Sequence, residues 1–299
     1  MYNLIDVEVT LEAGERIERA LESALGRSEA ENGPPLLAAA IRHAVFPGGA
    51  RVRPRLALAV AEACGADLSA VAEGAAAAIE LLHCASLVHD DLPCFDNAEF
   101  RRGRPSVHAV FGAPLALLAG DALIVMAFDA VTRGSASAPD RLPPLLHAVI
   151  AGVAAPFGIV AGQAWESEPN PPPEQYRCAK TGALFVTATT AGALASGCDP
   201  APWRPLGHRL GEAYQVADDL LDAIASSDEC GKPVGQDAAL GRPNAVGELG
   251  VAGAVRLLDS LVEAALESIP VCYGRNELRE IVRLQALRLA PKRLLQSAA

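Results

Sequence analysis

The chain has 299 residues, a formal net charge of −11 and 51% hydrophobic residues. That length can bury a sizeable core without staples, and so acidic a chain lacks the basic face that nucleic-acid binding needs. Its cysteines (Cys64, Cys84, Cys94, Cys178, Cys198, Cys230 and Cys272) are odd in number, form no C-x-x-C pair, and fit free thiols in a reducing cytoplasm rather than a zinc site.

The opening MYNLIDVEVTLEAGERIERALESALG is acidic and does not read as a signal peptide. Ile17, Leu21 and Leu25 recur at i, i+4 and predict a helix. Turn signals follow at ENGPP (31–35) and FPGGA (46–50). Helical spacing then runs through 51–91, and 78–91 is nearly all apolar until its end, as expected of a central helix. After the turn PSVHAVFGAP (105–114), the charge-free run 142–165 is long enough to span a bilayer. Pro143, Pro144, Pro156, His147 and Gln163 interrupt it, so two buried core helices meeting near Pro156 are expected, and no membrane insertion. Between SEPNPPPEQ (167–175) and SSDECGKPVGQDAALGRPNA (226–245) lies a second largely apolar helix, 205–222. Strand alternation is hard to find, and no linker or repeat divides the chain. The expectation is one all-α domain over residues 1–299, of about ten or more helices, with polar clusters at the ends of central helices.

Two acidic clusters carry the chemistry. Asp90, Asp91 and Asp96 flank Pro93, which limits helical continuation. Asp218 and Asp222 are i and i+4 on one helix face, with Asp219 beside them. Like charges so placed repel, and burial raises their pKa values. A hard divalent cation with oxygen ligands resolves both conflicts, and magnesium commonly shares one or two carboxylates with substrate phosphates. Arg51, Arg53, Arg101, Arg102, Lys180 and Lys232 lie near turns and suit phosphate oxygens. No G-x-x-x-x-G-K-[ST] is present, which excludes an ordinary P-loop. On spacing alone, a solvated helix end with surface ion pairs remains the bland alternative.

Larger blocks go further. ELLHCASLVHDDLPCFDNAEFRRGRPSVH (80–108) resembles the first aspartate-rich motif of the trans-isoprenyl diphosphate synthases, or polyprenyl synthetases. YQVADDLLD (214–222), followed by GKPVGQD, resembles their second. PGGARVRP (47–54), LAGDALI (118–124), GQAWE (162–166) and AKTGALF (179–185) match further blocks in the same order, so the resemblance covers nearly the whole chain. It implies an isoprenoid-synthase fold with a central cavity, a homodimer, and three magnesium ions (manganese as substitute) bridging an allylic diphosphate to both motifs. By the same resemblance, Asp90, Asp96 and Asp218 are metal ligands, Asp91 supports them, and Asp219 and Asp222 act mainly through metal-bound water. Arg101, Lys180 and Lys232 match residues that hold the allylic diphosphate. Gly49, Arg53, His83 and Arg102 match the pocket for isopentenyl diphosphate. Thr181 and Gln215 match groups near the forming allylic cation. The implied reaction condenses isopentenyl diphosphate with an allylic diphosphate, farnesyl and also geranyl or dimethylallyl.

Relatives that make the C15 farnesyl product place a large aromatic at the position of Ala85, beside Ser86; the alanine, with Pro93–Cys94 in the first motif, implies a C20 product, geranylgeranyl diphosphate. GGARVRP, HDDLPCFD and GQAWES look most like synthases of bacterial carotenoid and bacteriochlorophyll pathways. Some positions depart from the pattern: Ala50 stands for a lysine, Ala98 and Glu99 for aspartates, Gln236 for a lysine and Glu166 for an aspartate. The alternatives are a farnesyl diphosphate synthase, a regulatory subunit that kept the fold, and a terpene cyclase. DDLLD argues against the cyclase, whose second motif is of N-D-x-x-S-x-x-x-E type.

Overall fold

Proline and glycine cut the alanine- and leucine-rich sequence into helices. In a computed structural model that describes residues 4–29, 32–224 and 244–289, they are α1 (Leu4–Leu25), α2 (Pro35–Val45), α3 (Val52–Ala63) and α4 (Ser69–Asp90). Then come α5 (Val107–Phe111), α6 (Ala113–Gly134), α7 (Leu142–Val153), α8 (Ile159–Ala164) and α9 (Pro173–Arg177). A π-helical turn, Cys178–Gly182, leads into α10 (Ala183–Ala195). The last described helices are α11 (Arg204–Ile224), α12 (Ala245–Glu267, broken at Gly250) and α13 (Arg275–Leu289). Strand structure among the described residues is one antiparallel hairpin, β1 (Phe100–Arg101) with β2 (Arg104–Pro105). The all-α expectation holds.

The centre is built from α4 and α10. On α4, residues such as Ala75, Ala78, Ile79, Leu81 and Leu82 are fully buried. α10 is enclosed by α3, α4, α7 and α11 and buries even Thr187, Thr189 and Thr190. Thr187 and Thr190 satisfy their hydroxyls on the carbonyls of Ala183 and Val186, one turn back.

α4 and α6 cross in close contact because glycine faces glycine. A Cβ on Gly74 would lie 2.7 Å from the Ala130 carbonyl oxygen, and one on Gly134 would lie 2.6 Å from that of Ala70. Alanine at position 74 would gain about 0.8–1.0 kcal/mol of helix propensity. The obstruction is backbone, however, and overpacking of a tight core costs about 1–3 kcal/mol. Gly74→Ala is therefore expected to lower Tm by several degrees in a calorimetric scan. An unchanged or raised Tm would show that the crossing is loose.

The 142–165 run differs from expectation. The chain does break at Pro156, between α7 and α8, but only one side of α7 is buried. Ile150, Phe157 and Val160 are exposed, and α7 borders an apolar surface groove of about 780 Å³ shared with α10. Uncharged composition signals burial but does not distinguish a core from a surface groove.

Among the described residues, two helices are long and apolar enough to cross a membrane, α4 and the segment Ala113–Ser137 that contains α6. α4 is the core helix just described. α6 exposes Leu117, Leu118 and Val125, yet carries Asp121, Asp129 and Arg133 along its length. Arg133 pairs with Asp129 at 2.7 Å, and Arg27 of the Gly26–Glu29 turn reaches the same carboxylate at 3.1 Å.

Candidate active site

α4 ends at Asp90, so the first acidic cluster sits at the negative pole of the helix dipole. Pro93 stops the helix and the chain folds back. Asp96 N–H donates to the Asp90 carbonyl at 3.0 Å, Asn97 N–H to that of Leu92 at 3.1 Å, and Asn97 adopts a left-handed φ of 47°. This turn brings Asp96 beside Asp90. Glu166, from the short 3₁₀ turn after α8, joins them: one carboxylate oxygen from each of the three lies within 4.8 Å of the others.

Consecutive aspartates do different work. Asp91 is buried, with Arg101 Nε donating to its Oδ1 at 2.9 Å. Asp90 is 13% exposed; Lys180 Nζ lies 3.5 Å from its Oδ1 and Arg101 Nη2 lies 3.9 Å from its Oδ2. Asp90 Oδ1 is buried and accepts no hydrogen bond. Burial raises the Asp90 carboxyl above its usual range, Lys180 opposes the rise, and Asp96 and Glu166 add to it. Burial likewise raises Asp91, opposed by Arg101. All-oxygen donors, a buried carboxylate oxygen without a hydrogen bond and mutual repulsion fit a hard divalent cation.

The raised Asp90 pKa has a consequence for stability. The folded state holds this proton above the pH at which the unfolded chain releases it, so stability falls as pH rises through that window. Below the ordinary aspartate range, both states are protonated and the penalty vanishes. Asp90→Asn is thus expected to melt above the parent at neutral pH without divalent ions, and the gap should close toward pH 4. Calorimetry across pH checks this; a gap that widens on acidification would reverse the assignment.

The arginines after PGG divide similarly. Arg51, in a left-handed φ of 51°, is 3% exposed and pairs with Glu80 at 2.7 Å and Glu18 at 2.9 Å. It also donates to the Val45 carbonyl at 2.8 Å, so it anchors the loop. Arg53 rests on the rings of Phe185 and Tyr214, 4.6 and 5.2 Å from their centroids, and its buried Nε has no hydrogen-bond partner. A Cβ on Gly49 would lie 3.0 Å from Arg102 Nε, so glycine there lets loop and guanidinium meet. Burial, then the charges of Arg53, Arg102, Arg101 and Arg51, push His83 well below the usual imidazole range; it is neutral at pH 7. The structure thus gathers Gly49, Arg53, His83 and Arg102 into one cationic corner. Arg104 has a structural task, donating to the Phe46 carbonyl at 2.8 Å.

A second chain of contacts runs toward the other motif. Lys180 and Thr181 sit in the π turn, a local geometry often found at functional sites. Thr181 Oγ1 donates to Gln215 Oε1 at 2.7 Å, and Gln215 Nε2 donates to Asp219 Oδ1 at 2.9 Å. Asp219 is 4% exposed, and its Oδ2 accepts the Ala245 N–H at 2.7 Å, the first residue of α12. A carboxylate at a helix start is favourable. Asp219 thus ties α11 to α12. Asp218 and Asp222 are half-buried near the C-terminal end of α11. Ala85 is buried on α4, and half-buried Ser86 donates to the His83 carbonyl at 2.8 Å. Lys232 and Gln236 lie outside the described residues.

A model of the polyprenyl synthetase family matches residues 34–259. The chain belongs to this family. Among polyprenyl synthetases, geranylgeranyl diphosphate synthase of Cereibacter sphaeroides is 51% identical over 277 residues, 93% of this chain and 96% of the relative. The enzyme of the same name from Rhodobacter capsulatus is 51% identical over 271 residues, 91% and 94% of the two chains. A geranyltransferase from Helicobacter pylori, complexed with magnesium and isoprenyl diphosphate, shares the fold with a TM-score of 0.81 and 27% identity, covering 96% of this chain and 99% of its own.

The resemblance noted Glu166 only as a substituted aspartate. Its neighbours in the fold are Gln163, whose Nε2 donates to Oε2 at 3.0 Å, and Tyr176, whose hydroxyl donates to Oε1 at 2.7 Å. The i, i+3 spacing of Gln163 and Glu166 was the one local signal for this arrangement; Tyr176 carried none.

Proposed function

We propose that this polyprenyl synthetase is a magnesium-dependent prenyltransferase that condenses isopentenyl diphosphate with farnesyl diphosphate, and with shorter allylic diphosphates, to geranylgeranyl diphosphate. The observation that carries the reading is the half-buried Asp90–Asp96–Glu166 cluster beside the cationic corner of Arg53, His83 and Arg102. The two relatives at 51% identity bear the name of that product.

Asp90, Asp96 and Asp218 would hold the metal, three ions in all. When bound, magnesium supplies positive charge against the negative charge that develops on the departing diphosphate. Lys180 and Arg101 receive oxygens of the allylic diphosphate, with Lys232 as a further candidate. The Gly49 loop, Arg53, neutral His83 and Arg102 hold isopentenyl diphosphate, and Arg53 keeps an unused N–H there. The Gln215 amide, fixed by Thr181 and Asp219, presents a dipole near the carbon that becomes cationic. The double bond of isopentenyl diphosphate attacks that carbon, and the proton then lost goes to the released diphosphate, so no side-chain base is required.

The chain is read as one domain acting as a homodimer in the cytoplasm. Support for self-association is the apolar face of α6, with Leu117, Leu118 and Val125 exposed. The ionic residues Asp121, Asp129 and Arg133 on the same helix speak against burial in lipid. Six free cysteines among the described residues agree with a reducing compartment. The test is to incubate the purified protein with magnesium, isopentenyl diphosphate and each allylic starter, and weigh the products by mass spectrometry. A C20 diphosphate supports the reading. A C15 end product makes it a farnesyl synthase, and no product from any starter makes it a regulatory subunit.

A further inference from the structure

Lys180 stands where a cation is needed. Its ammonium is hydrogen-bonded to Glu166 Oε1 and lies 3.5 Å from Asp90 Oδ1. Tyr176 and Gln163 hold the same Glu166 carboxylate from two other directions. Arg101 approaches Asp90 only to 3.9 Å and is committed to buried Asp91. Lys180 is 25% exposed, on a long flexible stem, and is a cation able to move.

We propose that Lys180 is an internal placeholder for a divalent cation: its ammonium neutralises the Asp90–Asp96–Glu166 cluster until the cation binds, then transfers to a phosphate oxygen, while Glu166 turns to the cation as a third carboxylate. This rests on the reading of the cluster as a metal site. The transfer exchanges one anionic partner for another, so Lys180 is never left without a counter-charge when cation and diphosphate arrive together. With the cation alone, Lys180 loses its carboxylates and gains nothing. With diphosphate alone, the cluster loses the Lys180 ammonium. Each ligand therefore raises the affinity for the other, and by linkage the factor is the same in both directions.

The test needs no turnover. Manganese is titrated into the full-length protein and the free ion followed by electron paramagnetic resonance, with and without inorganic diphosphate. For the parent, diphosphate is expected to tighten manganese binding by about tenfold or more. Lys180→Met should bind manganese about tenfold more tightly than the parent without diphosphate, and lose most of the diphosphate enhancement. Glu166→Gln should bind it about tenfold more weakly. Manganese affinity in Lys180→Met equal to or below that of the parent overturns the placeholder, and an unchanged affinity in Glu166→Gln removes the third carboxylate. Lys180→Gln repeats the measurement if the methionine variant does not fold. Asp90→Asn separates this from the underlying reading: if it binds manganese as the parent does, the cluster is not a metal site at all.

Discussion

Asp90→Ala and Asp218→Ala are each expected to lower kcat/KM by about 10³-fold or more, because each removes charge stabilisation at the step that expels diphosphate. Their immediate neighbours should behave differently. Asp91 is 2% exposed and Asp219 4%, and both are committed within the protein, to Arg101 and to the Ala245 N–H respectively. Adjacent helical residues point about 100° apart, so each Asp-Asp pair can send one carboxylate toward the site and one into the scaffold. Asp91→Ala takes from the partly buried Arg101 guanidinium its nearest carboxylate, leaving Asp90 at 3.9 Å, a loss of about 1–3 kcal/mol. Asp219→Ala removes a cap worth about 1 kcal/mol and frees the Gln215 amide.

The four variants should therefore sort by readout. Asp90→Ala loses rate with Tm near or above the parent and Asp218→Ala loses rate, while Asp91→Ala and Asp219→Ala lose Tm first. Steady-state kinetics at saturating magnesium, paired with calorimetry, reads both quantities. Near-normal turnover in Asp90→Ala or Asp218→Ala would sink the metal assignment. A rate loss in Asp219→Ala as large as in Asp218→Ala, at unchanged Tm, would return Asp219 to the metal-water role that the resemblance implied.

What could be read in the sequence was local. The two acidic clusters, the helix that Pro93 terminates and the PGG loop are patterns over a few residues, and the fold places them as the periodicity predicts. What could not be read was which charge meets which. Arg51 and Arg53 look alike in GGARVRP, yet Arg51 is consumed by Glu80 and Glu18 while Arg53 lies on aromatic rings. Glu80, a single carboxylate in an apolar helix, gives no sign of its partner 29 residues away. The Glu166–Lys180 junction closes across a loop, and its link to Asp90 comes from a separate helix. Periodicity also misjudged 142–165, since an uncharged helix can line an open groove as readily as a core.

Ala85→Phe is expected to shorten the main product from C20 to C15. Ala85 lies five residues before Asp90 on α4, about 7.5 Å along the axis, and Leu81 and Leu82 follow one turn deeper with no exposure. Ile124 and Phe128 of α6 pack against the same core. A ring at position 85 either enters the space used by the growing tail or has nowhere to go, and two measurements tell these apart. Overpacking a closed core costs about 1–3 kcal/mol, or roughly 2–4 °C of Tm per kcal/mol in a chain of this size class. A shortened product with Tm nearly unchanged places Ala85 on the wall of the tail channel. An unchanged C20 product with a Tm several degrees lower makes Ala85 a packing residue and moves the search for the floor to Leu81 and Leu82. Ser86→Phe is the companion measurement, because Ser86 is already half-exposed and its hydroxyl only bonds back to the His83 carbonyl. If the phenylalanine shortens the product at 86 but not at 85, the tail passes the other face of α4, and the alanine serves helix packing instead.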